Sequence, residues 1–265
     1  MNAMSEVAIW LGLLVLLIVS NTVAWWRFGR RSIRRSLATI AVASAIVLGL
    51  AYIPLALTYK TYYTPTNAMS PTIRGRHYVG NCPNCGAQTV VSLIENPINR
   101  SRRPGETGIC TSCLQVHPAQ AVAPQEWAGD RILVRNLQQP RRWDIVVFRP
   151  PGNRESLYAM RLVGLPGESI EIKEGGIWIE GKRMTPPPAI TTVRWFIPDQ
   201  YGVTTDYASE GNPTQLGDDE YFFLGDNSPN SSDSRFFGPV PAKDVGGVVT
   251  AIYWPPSRAR SLPLH

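Results

Sequence analysis

The stretch from 218 to 254, DDEYFFLGDNSPNSSDSRFFGPVPAKDVGGVVTAIYW, sets two apolar runs around a long polar turn. Residues 221–224 and 245–253 are rich in aromatic and β-branched side chains and are bounded by Gly, Asp, Asn and Pro, the composition of short strands between turns. The same texture extends upstream and predicts strands at 131–135, 145–149, 158–163, 169–172 and 176–180. Strands this short and this closely spaced suit folded antiparallel sheets, not alternating β and α units. Pro186, Pro187 and Pro188 break the pattern, so 186–219 reads as a long connection. No internal repeat is present.

The 265-residue chain carries a formal charge of +6, and the placement of that charge excludes a nucleic-acid partner. Arg27, Arg30, Arg31, Arg34 and Arg35 lie together without an acid, which leaves the remainder nearly neutral. Uncharged apolar segments flank this stretch at 7–26 and 37–57, each about 20 residues and long enough to cross a bilayer. A cleavable leader would need basic residues before the first segment, whereas they follow it. The expectation is two membrane helices joined by a cytoplasmic Arg-rich loop, with everything after residue 59 outside. Trp25, Trp26, Tyr52, Tyr59, Tyr62 and Tyr63 fall at the expected interfaces.

Four cysteines form two C-x-x-C pairs, Cys82/Cys85 and Cys110/Cys113, separated by 24 residues. Two such knuckles can present four thiolates to one tetrahedral zinc, with Gly86 letting the backbone turn over the metal. Outside the membrane, two disulfides are the competing reading. Either arrangement is structural, since no coordination position stays open for a substrate. His117 reads as a surface residue, not a fifth ligand.

The 218–254 stretch resembles the C-terminal signature of bacterial signal peptidase I, in which a strand enters G-D-N-S, continues through S-x-D-S-R and ends on a final strand. RRWDIVVFRPP at 141–151 and YAMRLVGLPGESIEI at 158–172 resemble two upstream segments of that family, and PTNAMSPTI at 65–73 resembles its segment after the last membrane helix. In the family that segment runs directly into G-D-x-I/L-L-V. Here GDRILVR begins at Gly129, so 76–128 reads as an inserted zinc-ribbon-like module between the two parts, 60–75 and 129–265, of a mainly β domain.

The resemblance implies a serine nucleophile and a neutral, buried lysine as general base. Residue by residue, the nucleophile falls on Ala68 and the base on Met160, while the flanking Met69, Pro71 and Arg161 keep the register. Thr66 matches the hydroxyl donor of the oxyanion hole. Ser231, Asp233 and Arg235 match supporting residues, the last two as an ion pair that locks the turn. Losing such a dyad costs about a million-fold in turnover, so the resemblance implies a catalytically inactive protein of the bacterial cytoplasmic membrane, with no catalytic cofactor, that binds signal peptides of exported precursor proteins. Two alternatives stand beside it. One is an active serine endopeptidase using Ser70, whose side chain would share the face of Ala68 if the segment were extended; the other is an interaction protein working through the ribbon.

Overall fold

The computed structural model describes residues 56–95, 101–136, 138–190, 193, 195 and 207–262, together with 19, 22, 41, 42, 44, 45 and 49. The expected spans at 7–26 and 37–57, with Trp25, Trp26 and Tyr52, lie almost wholly outside these residues. Among the described residues no helix is long and apolar enough to cross a membrane. The chain divides into two compact units, Met1–Tyr59 and Lys60–His265.

The strands in chain order are β1 (Tyr59–Tyr63), β2 (His77–Asn81), β3 (Gln88–Glu95), β4 (Arg102–Cys110), β5 (Val116–Pro118), β6 (Arg131–Arg135), β7 (Ile145–Phe148), β8 (Tyr158–Gly164), β9 (Ser169–Lys173), β10 (Gly176–Ile179) and β11 (Lys182–Arg183). They continue with β12 (Thr214–Gln215), β13 (Glu220–Leu224), a one-turn helix α1 (Ser234–Phe237), β14 (Val240–Pro241), β15 (Val245–Trp254) and β16 (Arg260–Ser261). Each of the seven strands expected from sequence is present, with ends moved by no more than one residue. The connection after Pro186 is less bare than expected, because β12 returns from it to pair with β9.

Among the described residues three sheets form. The largest runs β1-β6-β15-β7-β8-β13-β14, with β16 on β15; a second runs β11-β10-β9-β12; the third, β2-β3-β4-β5, comes wholly from 77–118. All recorded pairings between neighbouring strands are antiparallel. The hairpin of β9 and β10 turns through Glu174 and Gly175, both at positive φ (53° and 67°), as a two-residue loop with right-handed strand twist requires. The same Glu-Gly device recurs at Glu180 and Gly181 before β11.

Strands β8 and β13 separate two cores because alternate residues point to opposite faces. Leu162 and Phe223 join Ile132, Val146, Phe148, Met160 and Val249 on one side. Val163, Phe222 and Leu224 join Ile170, Ile172, Ile177 and Trp195 on the other. Trp195 is buried and stacks on Trp143 with ring centroids 5.9 Å apart, which assigns it to the core. Phe237 packs near Phe148 and Tyr158, and Phe148 stacks on Phe223 at 4.2 Å. Phe148→Ala should therefore destabilise the β domain by about 3–5 kcal/mol. Chemical unfolding of the detergent-solubilised chain, followed by Trp fluorescence, checks this; a loss below about 1 kcal/mol would contradict the packing.

Candidate functional site

The segment 64–76 is a loop closed on itself by one side chain. Asn67 is buried; its Oδ1 accepts from Ser70 Oγ and from the Gly75 amide, both at 2.9 Å, and its Nδ2 donates to Arg76 O at 2.7 Å. Gly75 sits so close to the chain that a Cβ there would lie 2.2 Å from Thr66 O. Within the loop, 68–72 forms turns, with Ser70 N donating to Asn67 O and Ile73 N to Met69 O. The extended conformation that would set Ser70 on the face of Ala68 is therefore absent. Ser70 is fully buried and its hydroxyl is committed to Asn67.

Met69 and Ile73 anchor the loop in the first core, and half-buried Ala68 packs against the same cluster, which contains Met160. The Ala68 carbonyl accepts from the Asn227 amide at 2.9 Å, and Asn227 Nδ2 donates to Asn67 O at 3.0 Å. The G-D-N-S turn at 225–228 thus lies directly on the Ala68 loop. Gly225 is required at this approach, since a Cβ would fall 2.2 Å from Ser231 Oγ and 2.6 Å from Ala68 O. The register that sets Leu224 opposite Arg161 puts Gly225 next in line with Met160. Ala68, Gly225 and Ser231 therefore meet in one place, Met160 belongs to the core cluster against which Ala68 packs, and Thr66, two residues before Ala68, is exposed. Ser231 Oγ is buried there without a hydrogen-bond partner.

Two ion pairs frame this place. Asp233 caps α1 by accepting from the Arg235 amide, takes the Gly225 amide at 3.0 Å, and receives Nε and Nη2 of Arg235 at 2.8 Å each. Arg235 also reaches Ser228 Oγ and Ser228 O. This is the turn-locking pair expected from S-x-D-S-R. The second pair was not foreseen: Arg161 donates from Nε and Nη2 to Asp226 at 2.7 and 2.5 Å and from Nη1 to Trp143 O at 2.7 Å, while Thr72 Oγ1 donates to Asp226 Oδ2 at 2.6 Å. Both side chains of the pair are fully buried. The available signal was a charged residue inside one apolar strand, Arg161, and another just after a second, Asp226, but nothing in the sequence pairs residues so far apart.

The four cysteines converge at the tip of the third sheet, with all four Sγ atoms within 4.8 Å of one another. All are free thiols, so the disulfide alternative is not the arrangement present. Cys82 and Cys113 approach to 3.7 Å and Cys85 and Cys110 to 3.5 Å. A tetrahedral site with bonds of about 2.3 Å has ligand separations of about 3.8 Å, which these spacings match. Amides of Ser112 and Cys113 point at Cys110 Sγ at 3.3 and 3.4 Å. Burial works against the Cys110 thiolate, yet these donors hold its pKa down to about 7. The Gln115 amide favours a Cys113 thiolate too, but burial and the three neighbouring sulfurs push that thiol up to about 12. The four residues could hold a metal ion.

His117 corrects the surface assignment. It is buried, with Nδ1 against Pro118 O at 2.9 Å and Nε2 against Thr89 Oγ1 at 3.1 Å. Nδ1 donates to the carbonyl and Nε2 pairs with the threonine hydroxyl, so both nitrogens are used within the sheet.

Folded antiparallel sheets, a Ser-rich turn and a loop laid on it define a β domain of the signal peptidase type. The family described as "Signal peptidase, peptidase S26" matches residues 110–254, more than half of the chain, and the chain belongs to that family. "Probable signal peptidase I-2" of Synechocystis is 29% identical over 150 residues, covering 53% of this chain and 62% of that protein. "Signal peptidase I P" of Bacillus subtilis subsp. natto is 33% identical over 146 residues, covering 53% of this chain and 76% of that one. A signal peptidase I from Enterococcus faecalis V583, solved by crystallography, is 30% identical and is covered to 98%, against 43% of this chain, with a TM-score of 0.32. The chain thus spans a little under two thirds of the length of the Synechocystis relative.

Asp226→Asn should cost about 3–5 kcal/mol, because Arg161 would be left buried without its counter-charge. The double change Arg161→Met with Asp226→Leu should cost less than the single one. Unfolding midpoints of both variants test this, and a double variant worse than Asp226→Asn would contradict it.

Proposed function

We propose that this chain is a membrane-held signal peptidase I relative that has lost peptide-bond chemistry and binds signal peptides of exported precursors in the family's groove. One observation carries the reading. The positions of nucleophile and base are a methyl group, Ala68, and a thioether, Met160, packed in one apolar cluster where neither can give or take a proton. Met160 is close to lysine in length and fills the buried slot without the desolvation cost of an amine. The Ala68 amide and the Thr66 hydroxyl are what remains of the oxyanion donors. An extended segment could be held at the site as an added strand. The spans at 7–26 and 37–57 would hold the domain on the outer face of the bacterial cytoplasmic membrane.

The Ser70 endopeptidase reading has little support, since that hydroxyl is buried and bound to Asn67. Purified chain incubated with a precursor protein should give no product, while a labelled signal peptide should bind saturably. Restoring Ala68→Ser and Met160→Lys together should bring cleavage back by several orders of magnitude. Product from the unaltered chain, or absence of peptide binding, would sink the proposal.

We further read the cysteine tip as a structural zinc site of Cys82, Cys85, Cys110 and Cys113. Bound there, the ion would fold the tip by charge neutralisation and cross-linking, with no open position for catalysis. Metal analysis should give one zinc per chain. Chelation or Cys110→Ser should loosen the third sheet in hydrogen exchange and leave exchange in β7, β8 and β13 unchanged; full metal loss with no change in exchange at β2–β5 would contradict this role.

A further inference from the structure

We infer a binding seat for a phosphate-type oxyanion where the C-terminal strap crosses the loop after Ala68. The seat is built from Arg74, Arg258 and Arg260 around the buried carboxylate of Asp130. Arg258 donates from Nε and Nη2 to the two oxygens of Asp130 at 2.8 Å each, and the Arg74 amide donates to Asp130 Oδ2 at 2.9 Å. Arg258 Nη2 also approaches Thr72 O at 3.4 Å, and Arg260 Nη2 donates to that same oxygen at 2.8 Å. Two guanidinium groups therefore converge on a single carbonyl. The nearby Asp226 does not offset them, since Arg161 already balances it.

Three cations against one carboxylate leave an excess of two positive charges on a patch that the backbone holds rigidly. Thr64 and Asp130 fix Arg74 by donating to its carbonyl at 2.9 and 2.8 Å, and the Arg74 side chain reaches Gln88 Oε1 at 3.1 Å. Arg74 Nε is buried and has no partner. Burial, then repulsion from Arg258 and Arg260, pulls Arg74 down to about 10 against the opposing pull of Asp130. Asp130 balances only one of the three cations; an added anion would balance the others, and planar guanidinium forks suit a tetrahedral oxyanion with several acceptors. The segment from the expected second span to Thr64 is seven residues, about 24 Å at full extension, so a lipid headgroup phosphate and a free phosphate can both supply this chemistry.

Inorganic phosphate is the first probe, titrated at constant ionic strength against chloride into the full chain in uncharged detergent. The thermal midpoint should rise saturably with phosphate. Arg260→Gln alone, at an exposed residue, and Arg74→Gln with Arg260→Gln should each weaken the half-saturating concentration by about tenfold or more. Lys182→Gln with Lys243→Gln, which removes equal charge at exposed residues outside the cluster, should leave it unchanged. Micelles doped with phosphatidylglycerol form the second arm: displacement of phosphate assigns the seat to a lipid headgroup, and phosphate binding without displacement assigns it to the free ion. No response beyond chloride to either probe overturns the inference, as does a response equal in the unaltered chain and the Arg260→Gln variant.

Discussion

The Arg161–Asp226 pair is the constraint on which the rest of the site depends. Taking two full charges out of water costs several kcal/mol each, so the pair is tolerable only with nearly every donor and acceptor used. Here the guanidinium meets Asp226 twice and Trp143 O once, and the carboxylate takes Thr72 in addition. Those contacts tie strand β8, the turn after β13, the approach to β7 and the Ala68 loop to a single point. Such a pair adds little net stability over an apolar replacement; what it does is penalise every arrangement in which one of the four stretches has moved. The place where Ala68 and Gly225 meet is fixed as a consequence.

The proposed loss of chemistry at Ala68 and Met160 rests on that fixed geometry. Asn227 holds the Ala68 carbonyl, Asp233 holds the Gly225 amide, and Gly225 lets the Ser231 turn approach Ala68. Ser231 Oγ, buried without a hydrogen-bond partner among the described residues, bears a cost of about 1–3 kcal/mol.

Much of the fold could be read because its strands are local events. Runs such as IVVF and YFFL announce themselves by composition, and Glu-Gly turns close the hairpins between them. The third sheet was less legible: β4 contains Pro104, Gly105 and Gly108 and has no alternation of its own, so pairing to β3 creates it. Strand β1, YKTYY, has aromatics that suit a membrane interface as well as a sheet edge. His117 looked exposed beside polar and Pro residues, yet Thr89 and Pro118 bury it. Ser70 depended on a backbone conformation, and the Asn67 side chain selects a turn instead. The Arg161–Asp226 partnership spans 65 positions, and no local pattern encodes that distance.

The segment that carries the third sheet does not disturb this site because of how it is attached. The chain leaves the loop at Gly75 and returns at Trp127 to Asp130, and the two stems are joined: His77 and Trp127 exchange both backbone hydrogen bonds, at 3.1 and 2.8 Å, and the Asp130 amide donates to Arg74 O at 2.8 Å. A module whose ends already touch demands no stretching of β1 against β6, and the entropy of closing its long excursion grows only slowly with length. The same stem passes one residue from the Asn67 clamp, which holds Gly75 and Arg76 directly. Ordering the third sheet therefore orders the base of the loop that carries Ala68, whereas the buried ion pair orders its far side through Thr72. The loop that carries Ala68 is thus held from both ends.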